Sequence, residues 1–280
     1  MRYRSHALSP FRQLLVLGIF LLGAISLAVF ALILLRAMGL YGSDSPVVNL
    51  LIQAFYTLCI FLVPALLWAY VARKQEYRPF SLALPPWPIG TVALLLPLLA
   101  MPAVELLTDI NHLIPASDWL TSLEARVEQS TLKMLYIESP QRFILNICVV
   151  ALIPAIAEEF FFRGALQHIL VRFIRRPHYA IWLTAIIFAL VHMQLLSLLP
   201  RILLGAVLGY IYYYSQTLVS SIAYHFANNL LAVVAYFYAA KNGIAPERLQ
   251  EMSIHWILGL VSLAAILGAM YLVRKVARRR

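Results

Sequence analysis

Long apolar runs constrain this chain more than any other feature of its sequence. A bilayer core asks for roughly 20 apolar residues per crossing helix, and eight successive runs approach or exceed that length. The backbone of a lipid-exposed segment must satisfy its own hydrogen bonds, so each run predicts an α-helix. The runs comprise residues 14–35, 47–72, 89–107, 143–171, 179–196, 198–214, 218–240 and 254–273.

The composition excludes a soluble enzyme and a disordered chain. Apolar residues make up 62% of the 280 residues and charged residues only 12%, against about a quarter charged in an ordinary soluble domain. The first run is longer than the roughly 7–15-residue core of a cleaved signal peptide, which predicts a retained helix. We therefore expect an all-α, polytopic membrane protein of about eight transmembrane helices, forming a single integral membrane domain over residues 1–280.

Residues 118–138 differ in kind from the apolar runs. Their apolar side chains recur at roughly helical spacing among charged ones, which predicts an amphipathic helix at the outer interface of the membrane. Such a helix would act as a lid or substrate guide, or else be a solvated connector. The apolar positions are Leu120, Leu123, Val127, Met134 and Leu135.

The basic residues predict the orientation. The chain has 22 Lys and Arg against 12 Asp and Glu, but they cluster at the ends of apolar runs, as topology determinants do. We expect the lipid bilayer as a partner, no nucleic acid, and a multi-pass protein with both termini cytoplasmic. That orientation places 14 of the 22 inside: Arg2, Arg4, Arg12, Arg73, Lys74, Arg78, Arg172, Arg175, Arg176, Arg274, Lys275, Arg278, Arg279 and Arg280.

A few polar groups lie inside the apolar runs, where they are functional suspects by default. Counted along straight helices, Glu158 lies roughly 20 Å and His192 roughly 21 Å from the inner surface. On the same rise, His225 comes to roughly 12 Å and Asn229 to roughly 18 Å. The four side chains are therefore predicted to share one band of the membrane.

Two chemistries fit these side chains. A carboxylate and a histidine can deprotonate a water, while a second histidine and a carboxamide stabilise the oxyanion. Alternatively, Glu158, His192 and His225 could bind Zn²⁺, whose water would be the nucleophile. Both routes end in amide hydrolysis, and the first needs no cofactor.

Local spacing adds support around the site. Glu159 and Arg163 are four residues apart and can pair on one face of a helix. Gly205 and Gly209 permit a close contact with another helix. The aromatic segment 160–162 is predicted to surround the carboxylate and to limit its contact with lipid and water.

Three motifs occur in order on separate apolar runs, within a motif-bearing core at about residues 140–240. In them the chain resembles the family of CAAX-processing and bacteriocin-processing intramembrane proteases, which includes the type II CAAX prenyl endopeptidases. The motifs are Glu158-Glu159-x-x-x-Arg163, Phe188-x-x-x-His192 and His225-x-x-x-Asn229.

The resemblance implies an intramembrane endopeptidase acting on a membrane-associated protein or peptide, such as a prenylated CAAX terminus or a leader peptide. Members of the family have been called metalloproteases, but one carboxylate, two histidines and an asparagine favour the glutamate mechanism without metal, with zinc as the alternative. The roles it implies are water activation by Glu158 and His192, an oxyanion hole of His225 and Asn229, and support from Glu159, Arg163 and Phe188.

Two other functional classes remain open at the level of sequence. An intramembrane Glu/His cluster also describes a proton-coupled or cation transporter, although we find no inverted repeat in the sequence. The third class is a non-catalytic membrane protein with an immunity or regulatory role, against which the intact motifs argue.

Overall fold

The computed structural model describes residues 8–39, 45–72, 80–135, 137, 139–245 and 255–279. Within these ranges the chain forms nine α-helices and no β-strand. Seven of them are long and apolar enough to cross a membrane, which confirms an all-α, multi-pass integral membrane protein. The helices are α1 (Pro10–Ala37), α2 (Pro46–Ala72), α3 (Trp87–His112), α4 (Asp118–Leu135), α5 (Pro140–Ile174), α6 (Pro177–Val191), α7 (Leu198–Ser215), α8 (Leu218–Lys241) and α9 (Trp256–Ala277).

Each of the eight predicted spans corresponds to one helix, but the fifth is shorter than predicted. Helix α6 ends at Val191 rather than at residue 196. Met193 follows with a φ of 55°, in the left-handed region that a continuing α-helix does not use. At 1.5 Å per residue the 15 residues of α6 reach about 22 Å, less than the roughly 30 Å of a bilayer core.

Helix α5 is the longest element and its geometry is irregular around Pro154. π-Helical turns at Ile147–Leu152 and Phe160–Gln167 flank the segment that carries the paired glutamates. Pro154 has no N–H to donate to the carbonyl of Val150, four residues earlier. Asn229 of α8 donates to that carbonyl instead, with Nδ2 3.4 Å from the oxygen.

The two glycines of α7 bring this helix against α5 and α6, as predicted. A methyl group at Gly209 would lie 2.8 Å from both Ile181 Cγ2 and Gln167 Oε1. The close approach also exposes the glycine carbonyls to α5. Arg163 Nη2 donates to the Gly205 carbonyl at 3.1 Å, and Gln167 Nε2 to the Gly209 carbonyl at 3.0 Å.

The amphipathic segment forms a helix, α4. Its Glu124 is buried, and both carboxylate oxygens accept from the backbone N–H of Leu196, at 3.0 and 3.1 Å. Helix α4 is therefore attached to the turn between α6 and α7.

The side of the membrane on which each terminus lies stays a prediction. The predicted orientation depends on basic residues, and six of them lie outside the described residues. These six are Arg2, Arg4, Arg73, Lys74, Arg78 and Arg280.

Candidate active site

One cavity of about 300 Å³ brings the four predicted catalytic side chains together. Glu158 comes from α5, His192 from the turn after α6, and His225 and Asn229 from α8. The walls are completed by residues of α2 and α7. Helices of opposite direction thus present these polar groups to one cavity.

Glu159 is the centre of a buried network. Its Oε1 accepts from Arg163 Nη1 at 2.8 Å and contacts His225 Nδ1 at 3.0 Å. The 2.8 Å contact confirms the pairing of Glu159 and Arg163 within α5. Both side chains are fully buried. Because a carboxylate only accepts hydrogen bonds, Nδ1 of His225 carries the hydrogen. The network therefore directs Nε2 of His225 toward the cavity.

Glu158 faces the cavity and makes no comparable pair. Its Oε2 lies 3.9 Å from His225 Nε2 and has no hydrogen-bond partner among the described residues. The side chain is only slightly exposed. A buried carboxylate oxygen without a donor is costly in a stable fold and is more usual at a site of chemistry. Oε2 of Glu159 likewise has no donor among the described residues, but only Glu158 lines the cavity, so Glu158 is the carboxylate available to a bound water.

His192 is oriented by the backbone of its own helix. Its Nδ1 lies 2.7 Å from the carbonyl oxygen of Phe188, an atom that can only accept. The hydrogen is accordingly assigned to Nδ1, which leaves the lone pair of a neutral imidazole on Nε2. That nitrogen can take a proton.

Side chains of α3 and α4 brace the turn that carries His192. Asn111 is buried, donates through Nδ2 to the Leu195 carbonyl at 2.9 Å, and accepts from the Leu199 N–H at 2.8 Å. Glu124 binds Leu196, as described above. The sequence signal for these two residues is weak, because both lie in helices without a motif.

Asn229 lies one helical turn beyond His225 and shares its face of α8. Its Nδ2 donates to Val150 and its Oδ1 accepts from Asn228 Nδ2, each at 3.4 Å. Both contacts are long, so they orient the amide without engaging it fully. One Nδ2 hydrogen has no partner among the described residues and is available to a ligand.

Phe188 is the aromatic contact of the site. Its ring centroid lies 4.8 Å from that of His192 and 6.0 Å from that of His225, while the Arg163 guanidinium lies 4.7 Å from the ring. The three phenylalanines 160–162 do not line the cavity. They pack toward α2 and Phe80, with Phe162 also against Phe188 at 5.1 Å.

The zinc alternative finds little support in the arrangement of ligands. Among the described residues, no three His, Cys, Asp or Glu side chains lie close enough to hold a metal ion. Glu158, His192 and His225 line the same cavity but do not converge on one point. The side chains as placed do not fit a three-ligand zinc site, and the mechanism proposed below uses no metal.

Several lining residues were not predicted from the sequence. Arg201 lies in the sixth apolar run, and the rule for ionisable groups in such runs could have identified it. The buried Tyr224 hydroxyl has no hydrogen-bond partner within the described ranges, and its neighbour His225 was the only signal. The unpredicted polar lining residues are Gln53, Thr57, Arg201 and Tyr224.

The family of the motif-bearing segment can be assigned by comparison. Residues 140–231 match the model of a family described as type II CAAX prenyl endopeptidase Rce1-like. The matched residues contain all three motifs. This segment, about a third of the chain, is similar to the Rce1-like family. The resemblance inferred from the motifs is thereby confirmed.

The match supports a class of activity at the level of the family. That class is the CAAX-type endopeptidases, which are membrane hydrolases. No curated protein and no solved structure matches the chain. For the helices before residue 140, only their hydropathy and their packing against the matched segment 140–231 are known.

Proposed function

We propose that this protein is an intramembrane endopeptidase that hydrolyses a peptide bond with a water activated by Glu158 and His192. The observation that carries the proposal is the single cavity lined by both histidines, Asn229 and a carboxylate with one unpartnered oxygen. The similarity of this segment to the Rce1-like family agrees with it.

In the first step, Glu158 removes a proton from the water as the water oxygen attacks the peptide carbonyl carbon. The Glu158 carboxylate supplies the acceptor. His192 offers a second acceptor at Nε2 and fixes the position of the water. General base catalysis of this kind contributes about 10²–10⁴-fold to a rate.

The attack converts the carbonyl oxygen into an oxyanion, for which His225 and Asn229 provide donors. His225 donates from Nε2 when its ring carries both protons, a form that the Glu159 carboxylate at Nδ1 stabilises. Asn229 donates the free hydrogen of Nδ2. Preorganised donors of this kind are each worth about 10²–10³ in kcat.

The second step breaks the C–N bond. The proton held by Glu158 passes to the departing nitrogen, the electron pair of the C–N bond goes to that nitrogen, and the carbonyl re-forms. The products are a carboxylic acid and an amine, and the proton of the acid then passes to the amine to give a carboxylate and an ammonium. Glu158 returns to its starting form. No oxidant or metal enters this balance.

The test is cleavage of a library of membrane-anchored peptides by the purified protein in detergent, beside Glu158→Gln. We expect the variant to lose at least about 100-fold in kcat, because the amide of Gln cannot accept the proton. Glu105→Gln is the matched control, since Glu105 lies in the membrane helix α3 and outside the cavity.

The same assay is run with a chelator, and we expect cleavage to continue. Loss with chelator and recovery with Zn²⁺ would replace the glutamate mechanism by a metal one. A folded protein that cleaves no member of the library, but moves protons in vesicles in a Glu158-dependent way, would support the transporter reading instead.

A further inference from the structure

A second cavity, of about 400 Å³, lies away from the candidate active site, where three membrane helices end. The start of α6 and the ends of α7 and α9 form its walls. Arg274 and Arg278, one helical turn apart at the end of α9, are the charged residues of its lining. The other polar lining residues are His178, Tyr213, Tyr214 and Gln216.

The positive charges of this cavity have no acidic partner on the helices around it. Helices α6, α7, α8 and α9 contain no Asp or Glu. Helix α9 also packs against α3, whose acidic residues Glu105 and Asp109 lie at the opposite end of that contact, where Leu106 meets Gly259. Arg274 comes 15 residues after Gly259, about 22 Å further along α9.

Both guanidinium groups are also free of hydrogen bonds within the described part of the chain. Neither Arg274 nor Arg278 makes an ion pair or a side-chain hydrogen bond with a described residue. The negative end of the α9 dipole favours basic residues there, but it amounts to only about half an elementary charge. Two full positive charges in one cavity therefore lack a counter-charge.

The other lining groups suit an anion as well. A guanidinium presents its N–H groups as a planar fork that matches the oxygens of a phosphate. The hydroxyls of Tyr213 and Tyr214 are further donors. His178 stands in the first turn of α6, at the positive end of that helix. Its Nδ1 lies 3.0 Å from the Tyr210 hydroxyl, a contact that holds the ring in the wall.

The position of the cavity indicates a lipid as the source of the phosphate. It lies at the ends of membrane helices and beside several tyrosines, which are typical of the level of the lipid headgroups. Along α9, the side chains of Leu267 and Leu272 are exposed. They offer the apolar surface that acyl chains need next to a bound headgroup.

We propose that Arg274 and Arg278 bind the headgroup phosphate of an anionic phospholipid in the cavity between α6, α7 and α9. Basic pockets between membrane helices are known to bind such headgroups. The bound phosphate supplies the missing counter-charge and connects the last helix of the chain to α6 and α7. The site is separate from the proposed peptidase chemistry and does not depend on it.

The experiment titrates the full-length protein in a neutral detergent with phosphatidylglycerol and, separately, with phosphatidylcholine of the same acyl chains. Bound lipid is counted by native mass spectrometry. We expect phosphatidylglycerol to bind at least about 10-fold more tightly. The Arg274→Gln, Arg278→Gln double variant should lose about 10- to 100-fold in affinity for phosphatidylglycerol, the usual range for charged hydrogen bonds. The corresponding double Lys variant should lose less, because Lys keeps the charge but not the fork.

The matched control is the Arg12→Gln, Arg175→Gln double variant. It removes two positive charges from the same end of the molecule, where Gln13 of α1 accepts from Arg172 of α5, but neither residue lines the cavity. This variant should keep the wild-type preference for phosphatidylglycerol. An equal loss in this control would show that net charge alone attracts the lipid, which would overturn the proposed site.

Thermal unfolding provides the second measurement. Without lipid, the Arg274→Gln, Arg278→Gln variant should unfold at the wild-type midpoint, because the two guanidinium groups contact no described partner. Phosphatidylglycerol should raise the midpoint of the wild type more than that of the variant, since a ligand stabilises the state that binds it. The same rise in both proteins would count against binding at these arginines.

Three binding results would overturn the proposal. The first is equal affinity of the wild type for the two lipids, and the second is an unchanged preference in the Arg274→Gln, Arg278→Gln variant. The third concerns inorganic phosphate as a competitor. If it displaces phosphatidylglycerol at an equal concentration of phosphate groups, the cavity binds a soluble anion rather than a lipid.

Discussion

A single oxygen, Oε1 of Glu159, connects the fold of this protein to its candidate chemistry. It receives Arg163 on one side and His225 on the other. The contact with Arg163 joins α5 to α7 through the Gly205 carbonyl, and the contact with His225 orients a ring in the cavity. Glu159 is therefore a positioning residue, since it reaches the proposed oxyanion only through His225.

These two roles of Glu159 can be separated by a double substitution. Glu159→Gln leaves the Arg163 charge buried and unpaired, which should destabilise the protein by about 3–5 kcal/mol. Adding Arg163→Met removes that charge, so much of the stability should return. Activity should not return, because His225 still lacks the carboxylate at Nδ1. Thermal unfolding in detergent and peptide cleavage are measured on the same samples, and recovery of both together would contradict a positioning role.

Among the elements, α7 packs closely through its two glycines, Gly205 and Gly209. Its glycines leave room for α6 and expose carbonyls to Arg163 and Gln167. A lipid-facing surface gives helices no hydrophobic reason to associate, so close packing and interhelical hydrogen bonds hold them together. The contact between α5 and α7 therefore also fixes the network beneath the cavity.

Gly209→Ala tests this contact. The added methyl would lie 2.8 Å from atoms of Ile181 and Gln167, so the helices must separate, at a cost of about 1–3 kcal/mol. We expect a lower unfolding midpoint in detergent. The matched control is Gly268→Ala in α9, where no heavy atom lies within 4 Å of the added methyl. Equal midpoints for the two variants would show that α7 tolerates the extra volume.

At the scale of the whole molecule, the short helix α6 decides whether the number of membrane crossings is odd or even. With α6 counted, eight helices connect the two sides and place both termini together. At about 22 Å it does not cover a full bilayer core, so its turn at His192 lies below the level that a longer helix would reach. His192 lies in the turn directly after α6 and lines the same cavity as Glu158.

Cysteine labelling in intact cells tests the orientation. In a variant without Cys59 and Cys148, we expect a cysteine at Ala116 to react with a membrane-impermeant reagent from outside. Cysteines at Ser9 and Arg279 should react only after the membrane is opened, because the positive-inside rule places both ends in the cytoplasm. Labelling of Ser9 and Arg279 from opposite sides would mean that α6 does not count as a crossing.

By itself, the sequence determined the membrane class, the positions of the helices and the residues of the three motifs. These properties are local, since apolar length and spacing along one helix do not depend on its neighbours. The tertiary structure decided how the helices are rotated and where they meet. It ended α6 at Val191, gave Glu159 two partners, turned the phenylalanines 160–162 away from the cavity and placed Arg201 in its wall. Such features depend on packing between helices that are far apart in sequence. The amino-acid sequence alone does not give the distances between those helices.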